Sequence, residues 1–548
     1  MTKIRNYFII FASVFAISSA CALVGVQDVK AQEGPALSDL IKRIEALESK
    51  PGGGNVTAAK INGIKIGLNL RHRYEIRSQD FATNAVAGNS IGGTPGTSQA
   101  ANGIRTLGSM TDGDGNAHQT RRPTTDFTLQ RMRLSFDADI NRNVMARVML
   151  QDVRTFGETD NATTNITTNL SRTDVQEGYV QLKNLGDINS LLSNVQLRIG
   201  RWQQGYGNHR MIGTLGWANQ SRSYDGAKVM FKKGNLWVDV FAWQIHENTS
   251  GGVNGGRTFS QSAEKDTVLY GIYSQYKFGG ALKGNVIEPY MMAKAESTDE
   301  DRTSGSIQPE SETRYSWGFR AAGKNIAFMN DIGLGGFDYT VEPVLQTGSS
   351  RYTPLGMSTA EYTKESISAW AMHAEAGYTF KNLPWTPRIG YAYSFASGDD
   401  NYNQGTQKTF KQVSPTQHAH NGYMDITSWQ NIVDHQIHFS VKPTKKLAID
   451  VKAHFFELDK IGDDWYHVGG AFANRSGAHQ YTDGNGAVHN TDDELGQEID
   501  VTLKYKMFKN FGVVAGYSHF FAGDFIEDVS AGVDRGVDWA YLQTTVSF

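Results

Sequence analysis

The chain has 548 residues, of which 39% are hydrophobic and 20% charged, with 58 glycines and only 12 prolines. These values are typical of a folded protein and exclude a largely disordered one. The formal net charge of −3 provides no strong basic field, so the composition does not favour nucleic acid as a partner.

Residues 1–31 are predicted to be a signal peptide that is removed on export. Two basic residues precede an apolar run over 8–26, and Val29 and Ala31 occupy the −3 and −1 positions for cleavage before Gln32. An uncleaved spanning helix is the alternative, but serine and glycine dilute the run. The exported chain would then begin at Gln32.

The only cysteine, Cys21, lies in this segment. Lipid attachment at Cys21 is an alternative, although Ser18 stands where a lipoprotein signal normally has leucine. A cleaved chain would contain no cysteine, which excludes disulfides, thiolate metal sites and covalent haem attachment. Such a composition suits a protein that crosses an oxidising periplasm before it folds.

Residues 32–50 are predicted to contain a short coiled-coil helix, followed by a flexible linker over 51–60. Within Ala36–Lys50, apolar residues follow the 3, 4, 3 spacing of an a/d stripe. The stripe residues are Leu37, Leu40, Ile44 and Leu47. Two heptads are marginal as an isolated helix. We therefore expect residues 36–50 to contact copies of the chain, a periplasmic partner or the wall of the main domain.

Residues 61–548 are predicted to be all-β. Polar and apolar side chains alternate with a period of two in segments such as Ile64–Arg77, Thr128–Ile140 and Arg314–Ala322. No segment after the signal has eighteen consecutive apolar residues, so no transmembrane helix is predicted. A closed barrel is the other structure that satisfies every backbone group within lipid.

The connections between strands favour a barrel over a water-soluble sandwich. We count about eighteen strands, whose links alternate between short ones, such as Asn141–Asn143, and long ones, such as Ser78–Pro123. This pattern predicts a transmembrane up-and-down antiparallel β-barrel in the bacterial outer membrane, with both termini periplasmic and long loops extracellular. The final strand ends in Phe548 and resembles the signal read by the outer-membrane assembly machinery. Gly205–Ser223 is predicted to be an outer loop at the channel mouth.

Motifs for catalysis or cofactors are weak in this chain. No G-x-G-x-x-G lies in a βαβ unit, and the G-x-S-x-G match at Gly88–Gly92 lies in the long predicted loop Ser78–Pro123 instead of at the strand-to-helix elbow of serine hydrolases, so we expect no enzyme. Thr111–His118 and Tyr481–Glu494 are similar to calcium loops but lack required positions, which leaves Ca²⁺ in an outer loop open. The loop histidines His418 and His420, near acidic residues, could bind a metal, but nothing fixes their geometry. We expect no metal or other cofactor.

Charge placement is the strongest functional feature. The alternation directs basic side chains into the lumen, and arginine concentrates on the N-terminal strands, which favours passage of anions. The predicted pore-lining cations are Arg71, Arg73, Arg131, Arg133, Arg147, Arg198, Arg314, Arg320, Lys452 and Lys504. The predicted acidic lumen residues are Asp137, Asp139, Glu177, Glu342, Glu375, Asp450 and Asp500.

The strands, taken in order, resemble the alginate-export family of outer-membrane porins over nearly all of the chain after the helix. The segments that carry the resemblance are "VQEGYVQLKNL", "LRIGRWQQGYGNHRMIG", "WANQSRSYDGAKV", "SISAWAMHAEAGYTF", "YSFASGDDN", "HNGYMDI", "VKPTKKLAIDVKAHFF", "LGQEIDVTLKYK" and "GYSHFFAGDFI". The resemblance implies an 18-stranded monomeric barrel with an arginine-rich constriction that passes an acidic polysaccharide outward. It also marks five positions in the barrel or its mouth, namely Arg201, Asp225, Ser397, Gly398 and Asp399.

Two features depart from the family pattern. The heptad helix before the barrel is not part of it, and lumen acids offset the arginines. We therefore expect an outer-membrane channel that passes small anions or an acidic polysaccharide and contacts lipid. The alternative is a structural barrel or docking component of a cell-envelope complex. The side on which Arg201 lies is open, because it shares a face with Ile199 unless a bulge intervenes near Gly200.

Overall fold

The computed structural model describes residues 64–78, 124–156, 173–245, 266–297, 311–352, 363–400, 405–466, 468, 472–474, 480–482, 488–490, 492–529 and 536–548. The predicted signal peptide, the coiled-coil helix, the linker and the calcium-like loop Thr111–His118 lie outside the described residues. Of the second calcium-like segment, Tyr481–Glu494, only parts are described. Among the described residues, no helix is long and apolar enough to cross a membrane.

Eighteen antiparallel strands close into a barrel, which confirms the predicted fold class. The strands are β1 (Ile64–Ser78), β2 (Thr124–Asp139), β3 (Val144–Thr155), β4 (Asp174–Leu182), β5 (Val195–Trp202), β6 (Tyr224–Lys233), β7 (Leu236–Ile245), β8 (Asp266–Lys277), β9 (Asn285–Ser297), β10 (Ser311–Lys324), β11 (Phe337–Tyr352), β12 (Thr363–Thr379), β13 (Arg388–Ala396), β14 (Ile432–Val441), β15 (Leu447–Glu457), β16 (Glu494–Phe508), β17 (Phe511–Ala522) and β18 (Val537–Ser547).

Regular structure outside the barrel wall is short. A two-residue strand, Thr406–Gln407, pairs in parallel with β12. The other short strands are Trp465–Tyr466, Phe472–Asn474, Gln480–Thr482 and Val488–Asn490. The helices are α1 (Ala327–Asp331), α2 (Asp524–Val529) and the 3₁₀ turns Leu185–Asp187, Ser190–Leu192 and Gly280–Leu282.

The barrel closes where its first strand meets its last. β1 pairs antiparallel with both β2 and β18, and every other wall strand pairs with its neighbours in sequence. At the seam the Leu68 N–H donates to the Phe548 carbonyl (3.2 Å) and the Phe548 N–H donates to the Leu68 carbonyl (3.1 Å). Closure leaves no free sheet edge, which is what a strand-based membrane protein requires.

The period-two pattern of the sequence separates the two faces of the wall. Apolar side chains such as Ile66, Ile199, Leu345 and Leu542 are more than half exposed on the outside, where lipid covers them. The inward positions hold polar and aromatic residues. Short turns lie at the end where β1 begins and β18 ends, which we call the short-turn end. The opposite end is the long-loop end.

Two long loops fold into the lumen instead of lying at the channel mouth. The first inward loop comprises residues 203–223, and the second comprises residues 397–431, of which 401–404 are outside the described part. The expectation of an outer loop at Gly205–Ser223 was therefore wrong. Large side chains of both loops, including Ile212, Phe410 and Trp429, are completely buried. The core of the molecule thus sits inside the barrel, and it is this apolar burial that draws the loops inward.

Candidate functional site: the barrel lumen

The two inward loops run side by side across the lumen. Ile212 of the first and Ser414 of the second form a parallel bridge. The Gly213 N–H donates to the Ser414 carbonyl (2.8 Å), and the Ser414 N–H donates to the Met211 carbonyl (2.9 Å). The Thr416 N–H donates to the His209 carbonyl (2.9 Å). These backbone bonds join the loops into one unit, which we call the lumen plug.

The N-terminal strands hold the plug through arginine. Arg71 donates to the Gly216 and Ala218 carbonyls, both at 3.0 Å. Arg131 donates to the same Gly216 carbonyl at 3.1 Å, and Arg73 donates to the Trp217 carbonyl at 2.8 Å. Three guanidinium groups therefore bind three successive carbonyls of the first inward loop. Predicted as pore-lining, these arginines are instead almost completely buried beneath that loop.

Positive charge on this wall greatly exceeds negative charge. Arg133 donates to the Ser221 hydroxyl (2.5 Å) and to Gln151 (2.8 Å), both of which are uncharged. Among the four arginines of this wall, only Arg73 binds a carboxylate of the described residues, that of Glu75, at 2.5 Å. Loop carbonyls accept hydrogen bonds from these guanidinium groups but do not cancel their formal charge. The four arginines, which we call the arginine wall (Arg71, Arg73, Arg131 and Arg133), thus surround one acid.

Trp217 anchors the plug against the arginine wall. The Arg73 guanidinium lies 3.8 Å from the centre of the Trp217 ring, a cation–π contact. On the second loop, His418 stacks on the same indole at 4.1 Å between ring centroids. Trp539 and Tyr541 of β18 meet it edge-on at 5.7 and 4.9 Å. One side chain therefore joins both loops to strands on either side of the barrel seam.

On the opposite side of the first loop the wall is aromatic. Tyr206 stacks on Tyr273 of β8 with ring centroids 4.3 Å apart, and its hydroxyl donates to Asp239 at 2.8 Å. Phe241 and Trp243 of β7 stack at 4.0 Å in the same cluster. These rings are almost fully buried, so they pack the loop against the wall and offer no open surface to a solute.

The second inward loop is bound by acidic residues and by Arg314. The Met424 N–H donates to Glu498 at 2.9 Å, and the Tyr423 N–H donates to Asp500 at 3.3 Å. Arg314 is held by Glu312 at 2.6 Å and donates to the Thr409 carbonyl at 3.2 Å. Lys452 Nζ also donates to the Ala419 carbonyl of this loop at 2.9 Å. Between the wall strands β9 and β11, the Tyr290 hydroxyl donates to Glu342 at 3.1 Å.

A buried arginine and a partly buried histidine lie where the loops meet. The guanidinium of Arg210 lies 5.0 Å from the Trp429 ring centre, and burial lowers the pKa of Arg210 to about 10, so it remains charged at neutral pH. His420 accepts a hydrogen bond from Arg210 (3.4 Å) and donates one to the Asn208 carbonyl (2.8 Å), which requires a neutral ring. Burial is the main cause that holds the pKa of His420 well below its ordinary value.

The proposed metal residues do not converge. His418 pairs with Asp425 at 3.1 Å, whereas Asp434 pairs with a different histidine, His454, at 3.1 Å. His420 is engaged by the first loop, as described above. Within the part of the chain that the structure describes, no group of three or more His, Cys, Asp or Glu residues is arranged to hold a metal ion.

Nearer the short-turn end, the lumen carries paired charges. These pairs are Arg147–Asp137 (2.6 Å), Arg147–Glu177 (2.5 Å), Arg320–Glu288 (2.7 Å), Arg388–Asp338 (2.6 Å), Arg388–Glu375 (2.8 Å), Lys504–Asp450 (3.0 Å) and Lys183–Asp139. Arg198 donates to Gln181 (2.7 Å) and lies 4.2 Å over the Tyr179 ring. Sequence reasoning identified most of these cations but not the carbonyl partners of the arginine wall, because backbone acceptors leave no trace in residue type.

Comparison with known families identifies this barrel. A family model described as alginate export matches residues 109–535, most of the chain. The chain belongs to the alginate export family. This confirms the resemblance drawn from the strand motifs, and with the closed barrel it makes the protein an outer-membrane channel. Among curated proteins, none matches the chain significantly.

Several solved structures resemble this alginate export family member at low identity. OccAB2 of Acinetobacter baumannii is 12% identical with a TM-score of 0.49, and the match covers 90% of this chain and 99% of the OccAB2 chain. OccK11 (OpdR) of Pseudomonas aeruginosa is 12% identical with a TM-score of 0.46, covering 88% and 96%. The outer membrane channel DcaP of A. baumannii is 12% identical with a TM-score of 0.36, covering 89% and 98%.

Two of the family-motif positions form an ion pair on the outside of the barrel. Arg201 binds Asp225 at 2.6 Å across β5 and β6. The register runs unbroken through Ile199↔Ala227 and Arg201↔Asp225, so Arg201 keeps the outward side of Ile199. No bulge redirects it, and the two side chains remain 31% and 44% exposed.

The other three family-motif positions fasten the start of the second inward loop. The Ser397 hydroxyl donates to the Lys408 carbonyl at 2.6 Å, and the Lys408 N–H donates to the Asp399 carboxylate at 3.1 Å. The Gly398 N–H donates to Asp459 at 2.9 Å. A Cβ at Gly398 would lie 1.9 Å from an Asn431 side-chain oxygen, so only glycine fits there. These alginate export positions therefore position a loop of the plug.

Proposed function

We propose that this channel passes small anions or acidic polysaccharide passively and without covalent chemistry. The observation that carries the proposal is the arginine wall, whose four guanidinium groups form an ion pair with only one carboxylate, that of Glu75, among the described residues. Low-dielectric walls focus such a field along a lumen, so anions are stabilised there relative to cations. Membership of the alginate export family supports the same substrate class.

The arginine wall acts through its charge more than through direct contact. Because the loop carbonyls occupy its donors, a passing anion experiences the field without displacing those hydrogen bonds. Arg198 and the paired cations nearer the short-turn end complete the proposed anion path. The paired acids, among them Asp137, Glu177 and Glu375, keep that path close to neutral and prevent it from trapping an anion too tightly.

Efflux from liposomes tests the substrate class. Purified channel would be reconstituted with trapped radiolabelled glucuronate or glucose, which are similar in size and differ in charge. We expect faster efflux of glucuronate, and a smaller ratio for R133Q, which removes charge while leaving the Gly216–Ala218 contacts of Arg71 and Arg73 intact. Equal wild-type rates for the two sugars would overturn the proposed selectivity.

The proposed orientation places the short-turn end in the periplasm and the long-loop end outside the cell. Support comes from the short turns, which are typical of the periplasmic side of such barrels, and from the seam at Phe548. We propose that the assembly machinery recognises the β18 strand through its terminal Phe548. The a/d stripe in residues 36–50 would bind further copies of the chain or a periplasmic partner.

A further inference from the structure

Lysines surround the lumen at the short-turn end. Six of them occupy inward positions at or next to the ends of wall strands, and all six are exposed. They are Lys65, Lys232, Lys277, Lys324, Lys446 and Lys506, which we call the mouth lysines. They come from β1, β6, β8, β10, the turn before β15, and β16, and are therefore distributed around much of the barrel.

Strand register shows that these lysines face inward. Directly paired residues in a sheet share a face. Lys65 is opposite Asp137, and Lys324 is opposite Asp338; both acids form ion pairs with lumen arginines. Lys232 is opposite Trp237, whose ring stacks on Tyr206 within the lumen.

Strand register places the remaining three lysines on the inner face as well. Lys277 is opposite Val286, two positions from the lumen acid Glu288 on the same strand. Lys506 is two positions from Lys504, which binds Asp450 in the lumen. The Lys506 N–H donates to the Lys446 carbonyl at 2.8 Å, so these two lysines are neighbours on one face.

None of the mouth lysines forms an ion pair with a carboxylate among the residues that the structure describes. The acids at this end are already bound by other cations: Asp137 by Arg147, Asp139 by Lys183, Asp338 by Arg388, and Asp450 by Lys504. The six charges are therefore a surplus, unlike the balanced belt just inside. Exposed ammonium groups on flexible stems are suited to transient, reversible capture of anions.

A cleft accompanies part of this ring. It has a volume of about 650 Å³ and is lined by Lys446, Lys504 and Lys506 together with Ala448, Gly512 and Thr545. The small inward side chains of Ala448 and Gly512 leave the space that the lysines border. Its volume is within the range of about 300–1,000 Å³ typical of sites for small organic ligands.

We propose that the mouth lysines form a loading site for an acidic polysaccharide, which enters the barrel from the short-turn end. This inference rests on the proposed function and adds the residues that first capture the polymer. A monovalent anion engages one lysine at a time, whereas a polycarboxylate engages several, so multivalency selects the polymer. Anionic lipid headgroups are the other source of negative charge, but they contact the outer face of the wall, whereas these six residues are on the inner face.

The test is side-dependent block of single channels in planar bilayers. Alginate oligosaccharides would be added to one chamber at a time, with neutral glucan oligosaccharides of equal length as the ligand control. A biotin tag on the C-terminal end, captured by streptavidin, reports which chamber contains the short-turn end. We expect block by the acidic oligomer to begin at least about tenfold faster from the short-turn side in 0.1 M salt, and the difference to collapse in 1 M salt.

A six-site variant assigns the effect to these residues. In the variant carrying K65Q, K232Q, K277Q, K324Q, K446Q and K506Q, the association rate from the short-turn side should fall about tenfold, while the rate from the other side stays unchanged. The corresponding six Lys→Arg changes should preserve the wild-type rate. The matched control removes exposed turn lysines outside both the ring and the cleft, with K233Q, K283Q and K509Q, and should change little.

The outcomes separate this proposal from the proposed function. Equal association rates from the two sides, or an equal loss in the turn-lysine control, would overturn the loading site. If the six-site variant fails to fold, the salt dependence of the wild-type asymmetry decides the question. Ion selectivity is measured on the same channels in a salt gradient. An anion-selective channel with symmetric block would retain the proposed function and lose only the loading site.

Discussion

Arg201 illustrates how the role of a residue depends on which face of the barrel wall it occupies. Its neighbour Gly200 has a φ of +130°, and a Cβ there would lie 2.3 Å from the Gly178 carbonyl oxygen. Glycine is therefore required at this point of β5, yet the pairing with β6 remains in register. Arg201 consequently braces the outside of the wall, whereas Arg198, three positions earlier, faces the lumen.

The R201Q variant should leave ion selectivity unchanged, because the pair with Asp225 lies outside the lumen. An exposed pair of this kind stabilises a protein by about 0–1 kcal/mol, so the barrel should also fold normally. R198Q is the matched variant, which removes an inward charge and should shift the reversal potential toward cations. Reversal potentials measured in a KCl gradient distinguish the two. A shift for R201Q as large as that for R198Q would contradict the assignment of faces.

His420 makes the plug sensitive to pH. Its folded-state pKa lies well below the ordinary value of 6.5, chiefly through burial and secondarily through the charges of Arg210 and Lys452. When the loop is released from the lumen, the pKa of His420 returns to its ordinary value. The released state therefore binds more protons than the plugged state. The plug consequently loses stability as the pH falls below about 6.5 toward the lowered pKa. His209, whose pKa burial also lowers, acts in the same direction.

We therefore expect the population of released loops to rise about tenfold between pH 7.5 and pH 5.5, since a change of one pKa unit corresponds to about 1.4 kcal/mol. Single-channel recordings across this range measure it as more frequent transitions to higher conductance. H420Q, and more fully H420Q with H209Q, should flatten the dependence. A wild-type record without any change over that interval would be inconsistent with a neutral His420 in the plug.

At the scale of elements, the lumen plug could not be predicted from local sequence. The length and composition of the two loops were evident, but their direction was not. Inward folding is decided by contacts such as Arg71 with Gly216, which are 145 positions apart, and by backbone carbonyls that have no side-chain signature. The strands were predictable because period-two alternation and turn length are local properties. By contrast, local sequence does not indicate which inward arginines are covered by a loop.

Trp217 is the side chain that most directly fastens the plug. W217A should remove the cation–π contact with Arg73 and the stack on His418. Because Trp217 is only partly buried, we expect the inward position to be destabilised by less than the about 3–5 kcal/mol typical of fully buried tryptophans. Conductance should become larger and noisier in bilayer recordings. W385A is the control, because Trp385 is 60% exposed in a short turn. Identical traces for W217A and wild type would show that the plug does not depend on this anchor.

The predicted helix in residues 36–50 is a separate element that stays a prediction. If its a/d stripe associates with further copies of the chain, the double variant L40D and I44D should abolish oligomers, because charges in an a/d seam disrupt packing. Mass measurement in detergent tests this, with charge changes on the polar face, K42D and R43D, as the control. An assembly whose mass is unchanged by L40D and I44D would exclude the coiled coil.

For the whole molecule, charge is arranged in layers along the barrel axis. The arginine wall lies under the plug, a belt of paired charges lies nearer the short-turn end, and the mouth lysines surround that end. The sequence predicted the barrel, its strand number and its family, because these depend on patterns repeated in every strand. It did not predict the layering, since that depends on which acid each cation meets across neighbouring strands.

The most direct test of the account is the reversal potential of the wild-type channel in a planar bilayer, with KCl concentrations that differ tenfold between the chambers. The uncompensated arginine wall and mouth lysines predict a potential of the sign set by chloride, reduced at higher salt as screening shortens the field. A potential of the opposite sign, set by potassium, would contradict the central claim that this alginate export barrel is an anion channel.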